Sequence, residues 1–424
     1  MKSRAGRNAI AGCLLMAFVV TILRSHVQAQ EKSSTPPWPV AEPNAVGLDP
    51  TALSALDADI AAGKYGLVDS MLIIRDGKQA LARSYAHDYG KIYGELAKHN
   101  GPLNHDVSGP YNYFSTQFHP YYQHSDLHTM QSVSKTVTSI TIGIAIGRKE
   151  FPSDLDTPIL KYFDGYNIAN LDERKRRITL RHLLTMTAGF EWNEDLPYND
   201  PKNSADVMEA THDWVQYVIN QPMAADPGKV FVYSSGVTQL LSHIFKKATG
   251  KNVDEYAAEY LFQPLGIRYH WKQSPTGLPD AEGGLYISSA SLAKIGFLFL
   301  KNGMWEEKRI VPAGWVKASV TSAMSVEDEG RRWGYGFQWW LQPYGKSPEK
   351  FAWAARGFGG QELRVLPEYD LILVFTGWDI LPSWQEPRHD QLERVIAAMK
   401  RATPYSGPPP TDSNAAANEA SKHN

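Results

Sequence analysis

Strand patterns sit at both ends of this 424-residue chain, and helix patterns fill the stretch between them. "DSMLIIRDGKQALARSY" (residues 69–85) places two apolar runs around "RDGK", a hairpin signal. Near the far end come "WGYGFQWWLQ" (333–342), "ELRVL" (362–366) and "DLILVFTG" (370–377), the last two joined by the turn "PEYD". Between them, apolar residues recur at three and four over 179–189, 206–220, 236–250, 252–266 and 291–303, with glycine stops after several runs. Further helices are expected at 48–66 and 389–402. This order predicts an α+β domain over 30–402. An antiparallel sheet is drawn from both ends and flanked by helices, and a mainly helical region of about 132–280 is inserted. With 43% hydrophobic and 11% aromatic residues, the chain can bury a large core. Residues 86–123 are aromatic and rich in turn formers, a loop length usually tied to function.

Two terminal segments stand outside that domain. Lys2, Arg4 and Arg7 precede the apolar run 9–23, and "VQA" (27–29) carries small residues at the positions a signal peptidase reads. Fifteen apolar residues fall short of the roughly 20 needed to span a bilayer. Residues 1–29 are therefore expected to be a cleaved signal peptide, the protein to be periplasmic or secreted, and no stable membrane insertion to remain. Cys13 is the sole cysteine, so the mature chain has no disulfide, thiolate nucleophile or thiolate metal site. Residues 403–424, rich in Pro, Ser, Asn and Ala, are expected to be disordered. Net charge is -2, and the first 29 residues carry four cations and no acid, so the remainder is more acidic. Such a chain lacks the basic footprint of a nucleic-acid binder.

One segment breaks the pattern of burial. "QSVSKTVTSITIGIAIG" (131–147) is mostly β-branched and apolar, yet Lys135 stands in its first turn, three residues after Ser132. On a helix that spacing brings both side chains to one face. A serine hydroxyl is a poor nucleophile until its proton is taken. A lysine takes it once burial and the positive end of the helix dipole lower its pKa. The spacing alone is weak, because chance supplies it about once or twice in such a chain. It recurs here as Ser291/Lys294, where a cap and a solvated charge suffice, and as Ser347/Lys350, in a stretch with Pro348. The apolar continuation after Lys135 is what the surface reading fails to explain. A second element, "VYSSGVTQLL" (232–241), sets Tyr233 at a bend before a helix capped by Ser234 or Ser235. A tyrosine beside a lysine can act as base or relay. A third, "AARGFGGQELRVL" (354–366), is Gly-rich ahead of a strand and lets a substrate approach the backbone.

Taken in order, "SVSK" (132–135), "YSS" (233–235) and "ARG" (355–357) resemble the three motifs of the penicillin-recognising serine hydrolases. The likeness is to the branch of class C β-lactamases, DD-peptidases, family VIII esterases and 6-aminohexanoate-dimer hydrolases. It covers about residues 38–399 and also takes in "ITLRHLLTMTAGF" (178–190) and "EGGLYISSASLAKIG" (282–296). The resemblance implies a β-lactamase/transpeptidase-like fold, Ser132 as nucleophile, Lys135 as its base and Tyr233 as proton shuttle. It implies Ser235 as the polar third position of the tyrosine motif, and an oxyanion hole from the backbone N–H groups of Ser132 and Phe358, next to Gly357. No metal or organic cofactor is implied.

Two departures shape the expected substrate. Ala355 stands where the family has a basic residue, and Arg356 follows one place later, on the opposite face of a strand. Ser235 stands where asparagine is common. Both point to an ester or amide small-molecule substrate, with a β-lactamase or D-Ala-D-Ala carboxypeptidase as the alternative. A non-catalytic ligand-binding or sensor homologue is the alternative from another class. The 86–123 loop with Trp192, Trp339 and Trp340 is the expected pocket wall. No Gly-x-Ser-x-Gly elbow of an α/β-hydrolase occurs. "HSDLH" (124–128) spaces two histidines by four but lacks the glutamate of a zincin.

Overall fold

The computed structural model describes residues 38–328, 330–346, 350–381 and 388–399. The expected signal peptide and the 403–424 tail lie outside the described residues.

An eight-stranded antiparallel sheet is the frame. Its strands are β1 (Val68–Arg75), β2 (Lys78–Ser84), β3 (Met324–Asp328), β4 (Arg331–Tyr335), β5 (Trp340–Pro343), β6 (Phe351–Gly357), β7 (Gln361–Leu366) and β8 (Leu371–Gly377). They run in the order β2-β1-β8-β7-β6-β5-β4-β3, so β1 of the front end pairs with β8 of the back end. The β1–β2 turn forms because Asp76 and Gly77 both take positive φ, at 50° and 68°. The sheet is covered on both faces. Met71, Ile73, Leu371 and Leu373 meet α1 (Pro50–Ala61) and the C-terminal helix His389–Ala397, while Leu72, Ile74, Ile372 and Val374 join the larger core. This explains the unbroken apolar runs in β1 and β8.

Four further helices place the site: α2 (Val133–Gly147), α3 (Ser204–Glu209), α4 (Ser235–Thr249) and α5 (Ser289–Leu300). Helix α2 is buried from Val133 to Ala145. Its hydroxyls survive burial because each is bonded: Thr136 to Gln338 O at 2.7 Å, Ser139 to Phe337 O at 2.8 Å, and Thr138 to Ala281 O at 3.1 Å. No helix among the described residues is long and apolar enough to cross a membrane.

The structure differs from the sequence expectation in five places. The expected helix 206–220 is two, α3 and Trp214–Ile219, because Asp213 caps a new start by accepting from Gln216 N at 2.9 Å. The helix expected over 179–189 stops at Leu184. The 252–266 run holds three short helical pieces. The strand expected over 333–342 is a β-hairpin, β4 and β5, turning at Gln338 with φ of 61°. The 86–123 segment, expected as a loop, holds a short helix at Tyr89–Tyr93.

Candidate active site

Ser132 sits at the N-cap of α2, preceded by Gln131 in a left-handed conformation with φ of 47°. Such a conformation costs energy in a residue with a side chain and is held by its surroundings. Here Gln131 Nε2 donates to Thr129 Oγ1 at 2.9 Å. Lys135, one turn on, is 1% exposed. All three of its N–H bonds are used: Nζ donates to Ser132 Oγ at 2.7 Å, to the Glu282 backbone oxygen at 3.0 Å and to Glu282 Oε2 at 3.0 Å.

Glu282 reaches this place through local pairing. The strand His128–Thr129, just before Ser132, pairs with Leu285–Ile287. Met130 N donates to Leu285 O at 2.8 Å, and Leu285 N donates to Ser134 Oγ at 3.1 Å. The turn before Leu285 therefore lies against the first turn of α2. Its own geometry is fixed by Asp280, whose Oδ1 accepts from Gly283 N at 2.9 Å.

Tyr233 enters from the other side, two residues ahead of α4. Ser234 caps that helix by accepting from Val237 N. Lys135 Nζ lies 5.2 Å from the centre of the Tyr233 ring, and the nearby Ser132 hydroxyl acts to lower the Tyr233 pKa. Trp340 stacks on the ring at 5.6 Å. Ser235 has its backbone N–H and its hydroxyl both given to Glu194, at 2.7 and 2.6 Å. The same carboxylate accepts from Trp192 Nε1 at 2.8 Å and from the Tyr198 hydroxyl at 2.6 Å.

The end of β6 closes the group. A Cβ on Gly357 would lie 2.4 Å from Met130 O, so only glycine lets the strand come this close to the residues before Ser132. Phe358 follows, packs on Tyr198 at 4.6 Å and, with Ser132, Gln131 and Glu282, lines a cavity over the serine. Leu103 and Tyr113 of the 86–123 segment form part of its wall, with Asp206 and Glu209 of α3. That segment is anchored there: Asp206 Oδ1 accepts from Leu103 N at 3.0 Å, and Glu209 accepts from the Tyr113 hydroxyl at 2.7 Å.

Arg356 goes elsewhere. It pairs with Asp328 of β3 and lies over the rings of Trp333 and Trp340 at 4.7 and 5.9 Å. The lining of the cavity over Ser132 does not include it. Trp339, expected at the pocket, is buried in the core against Phe299 instead. In "HSDLH", the two ring nitrogens of His128 are engaged by Thr129 O and Asp69 Oδ2.

The electrostatics correct one expectation. Burial does push the Lys135 ammonium's pKa down, but Tyr233, Glu282 and Glu194 push it up and prevail, so the lysine is charged at rest rather than a free amine. Burial pushes the Glu282 carboxyl up, yet Lys135 holds it below its ordinary value. Burial keeps Tyr233 above the ordinary tyrosine range, with Lys135 pulling the other way. Burial and then Glu282 raise Asp280 to about 6 and Glu209 well above the carboxylate range. Glu194 and Glu282 were not among the expected site residues; both lie far from Ser132 along the chain, and although Glu282 opens the family-like segment 282–296, nothing in its spacing gave it a role.

The Beta-lactamase family model matches residues 62–378, a span that contains every group just described. The chain belongs to the Beta-lactamase family. Among curated proteins it is 25% identical over 302 residues to the 6-aminohexanoate-dimer hydrolase of Paenarthrobacter ureafaciens, covering 65% of this chain and 70% of that one. Among solved structures, a penicillin-binding protein homolog from Caulobacter crescentus superposes with a TM-score of 0.58 at 14% identity, covering 85% of this chain and 98% of the other. A family VIII carboxylesterase superposes at 0.57 and 15%, with coverage of 85% and 98%. The protein thus has the β-lactamase fold and is similar in sequence to a 6-aminohexanoate-dimer hydrolase.

Proposed function

We propose that the protein is a serine hydrolase that forms an acyl-enzyme on Ser132 and cleaves a carboxylic ester or amide. The observation that carries this reading is the 2.7 Å contact between Lys135 Nζ and Ser132 Oγ beneath a cavity. Ser132 Oγ attacks the carbonyl carbon, Lys135 receives the serine proton, and Tyr233 passes it to the leaving alcohol or amine. The backbone N–H groups of Ser132 and Phe358 receive the oxyanion. Water then releases the acid by the reverse sequence.

Two features favour an uncharged acyl group over a β-lactam or peptide carboxylate. Arg356 is engaged with Asp328 rather than lining the cavity. The described residues lining the cavity include no lysine, arginine or histidine to receive an anion. The basic n-region and short apolar run of residues 1–29 support export to the periplasm or medium.

The test is hydrolysis of p-nitrophenyl butyrate, a linear amide dimer and nitrocefin by the wild type and by Ser132→Ala. The expected result is ester or amide turnover that falls at least ~1,000-fold in the variant, with nitrocefin untouched. Equal rates in both proteins would remove Ser132 as nucleophile. Nitrocefin turnover would move the protein to the β-lactamase branch.

A further inference from the structure

A buried ammonium cannot accept the serine proton until it has given up one of its own. Lys135 has three hydrogen-bond partners, and only one of them, Glu282 Oε2, is a base. We propose that Glu282 is the positioning residue that makes Lys135 a competent base, holding the proton that Lys135 must shed before it can take the one on Ser132. This rests on the hydrolase reading above and extends it by one residue.

The chemistry balances without an outside acceptor. When substrate seals the cavity, one Nζ–H bond breaks and an Oε2–H bond forms, so an ammonium–carboxylate pair becomes an amine–carboxylic acid pair. Excluding water favours the neutral pair, because the desolvation cost falls on the charged one. The amine then takes the Ser132 proton as Oγ bonds to the carbonyl carbon and the C=O electron pair moves onto oxygen. On collapse, the Lys135 proton passes through Tyr233 to the leaving group, and Glu282 returns its proton to Lys135. Net charge in the site is unchanged throughout.

The surroundings suit this role. Glu282 is 5% exposed and is held on the carboxylate side at rest by Lys135. The other groups facing it are the Ser235 hydroxyl at the start of α4, Tyr233 and Tyr198, Glu209 on α3, Tyr113 and Tyr111 of the 86–123 segment, and Asp280 and Lys272 beside its own turn. Lys272, whose side chain is fully buried, offsets the acids from behind at 3.6 Å from Asp280 Oδ2.

The test is the pH profile of kcat/KM on p-nitrophenyl butyrate for wild type, Glu282→Gln and Glu282→Asp, with Ser132→Ala subtracted as the background. The wild type is expected to be flat from about pH 6 to 8, because its active form already holds the right number of protons. Glu282→Gln is expected to fall ~100-fold at pH 7, within the range for a lost proton-transfer aid, and to climb ~10-fold per pH unit as Lys135 deprotonates to solvent. Glu282→Asp, which keeps the acceptor, is expected to regain the flat shape at an intermediate rate. A Glu282→Gln profile parallel to wild type would overturn the proposal, and so would a Glu282→Asp profile that climbs. Should Glu282→Gln fail to fold, the aspartate variant alone decides by its shape. Wild-type turnover no faster than Ser132→Ala would instead overturn the hydrolase reading beneath it.

Discussion

Two helices of this protein carry Ser-x-x-Lys near their N-terminal ends, and they have different fates. In α2, Lys135 contacts the serine hydroxyl and a carboxylate, under a cavity. In α5, Lys294 donates to the Leu265 backbone oxygen at 2.9 Å, and the Ser291 backbone N–H donates to the capping Ser288 Oγ at 3.2 Å. Both lysines are buried. Their pKa values move in opposite directions: Lys135 up, against burial, and Lys294 down, because burial acts with no acid to oppose it. Spacing thus delivers two side chains to one face, and the partner brought by the rest of the fold decides what they do there. The third pair differs again: Lys350 pairs with Glu368 at 2.6 Å, and Ser347 lies outside the described residues.

The contrast can be broken most directly by removing each lysine. Lys135→Met is expected to lower ester turnover ~1,000-fold or more, while Lys294→Met leaves kcat/KM within about twofold. A comparable loss in both would erase the distinction. Next in size is Glu194→Gln, which weakens four hydrogen bonds that hold Ser235, Trp192 and Tyr198 in place. It is expected to cost about 1–3 kcal/mol of stability by denaturant unfolding and to lower turnover ~10- to 100-fold, with little change in the pH profile.

The smallest effect concerns stability against pH. Lys294 has a folded pKa below its unfolded one, so between the two the unfolded chain binds more protons and stability rises with pH. Lys135 has a folded pKa above its unfolded one, so its contribution is present at neutral pH and is lost as pH climbs through the folded value. Melting temperatures should therefore show wild type gaining on Lys294→Met as pH rises toward the ordinary lysine value of 10.5, and losing ground to Lys135→Met only above that value. The same sign for both variants would contradict the assignment of charge.

Much of the frame was legible because its signals are local. The β1–β2 hairpin needed only its turn residues, and α4 only its Ser234 cap and Gly250 stop, with φ of 76°. Helix α2 stood out by its apolar run. The errors arose where a capping side chain or a turn interrupts an apolar period: Asp213 splits one helix, and Gln338 turns an aromatic run into two strands. In the site, Ser132, Lys135 and Tyr233 carry a motif and do come together. Glu282 opens one of the family-like segments without a role assigned to it, because its place beside Lys135, 147 residues away, depends on a strand pairing. One signal was available: a lysine in an apolar helix requires a buried acid somewhere.

The central claim is that Ser132 is the nucleophile of an acyl-transfer site. The direct measurement is peptide mass spectrometry after exposure to a p-nitrophenyl alkylphosphonate, which leaves a stable adduct on an activated serine. The account predicts one adduct per chain, on the peptide carrying Ser132, and none after Ser132→Ala. An adduct on Ser291, or no adduct in a protein that still hydrolyses esters, would contradict it.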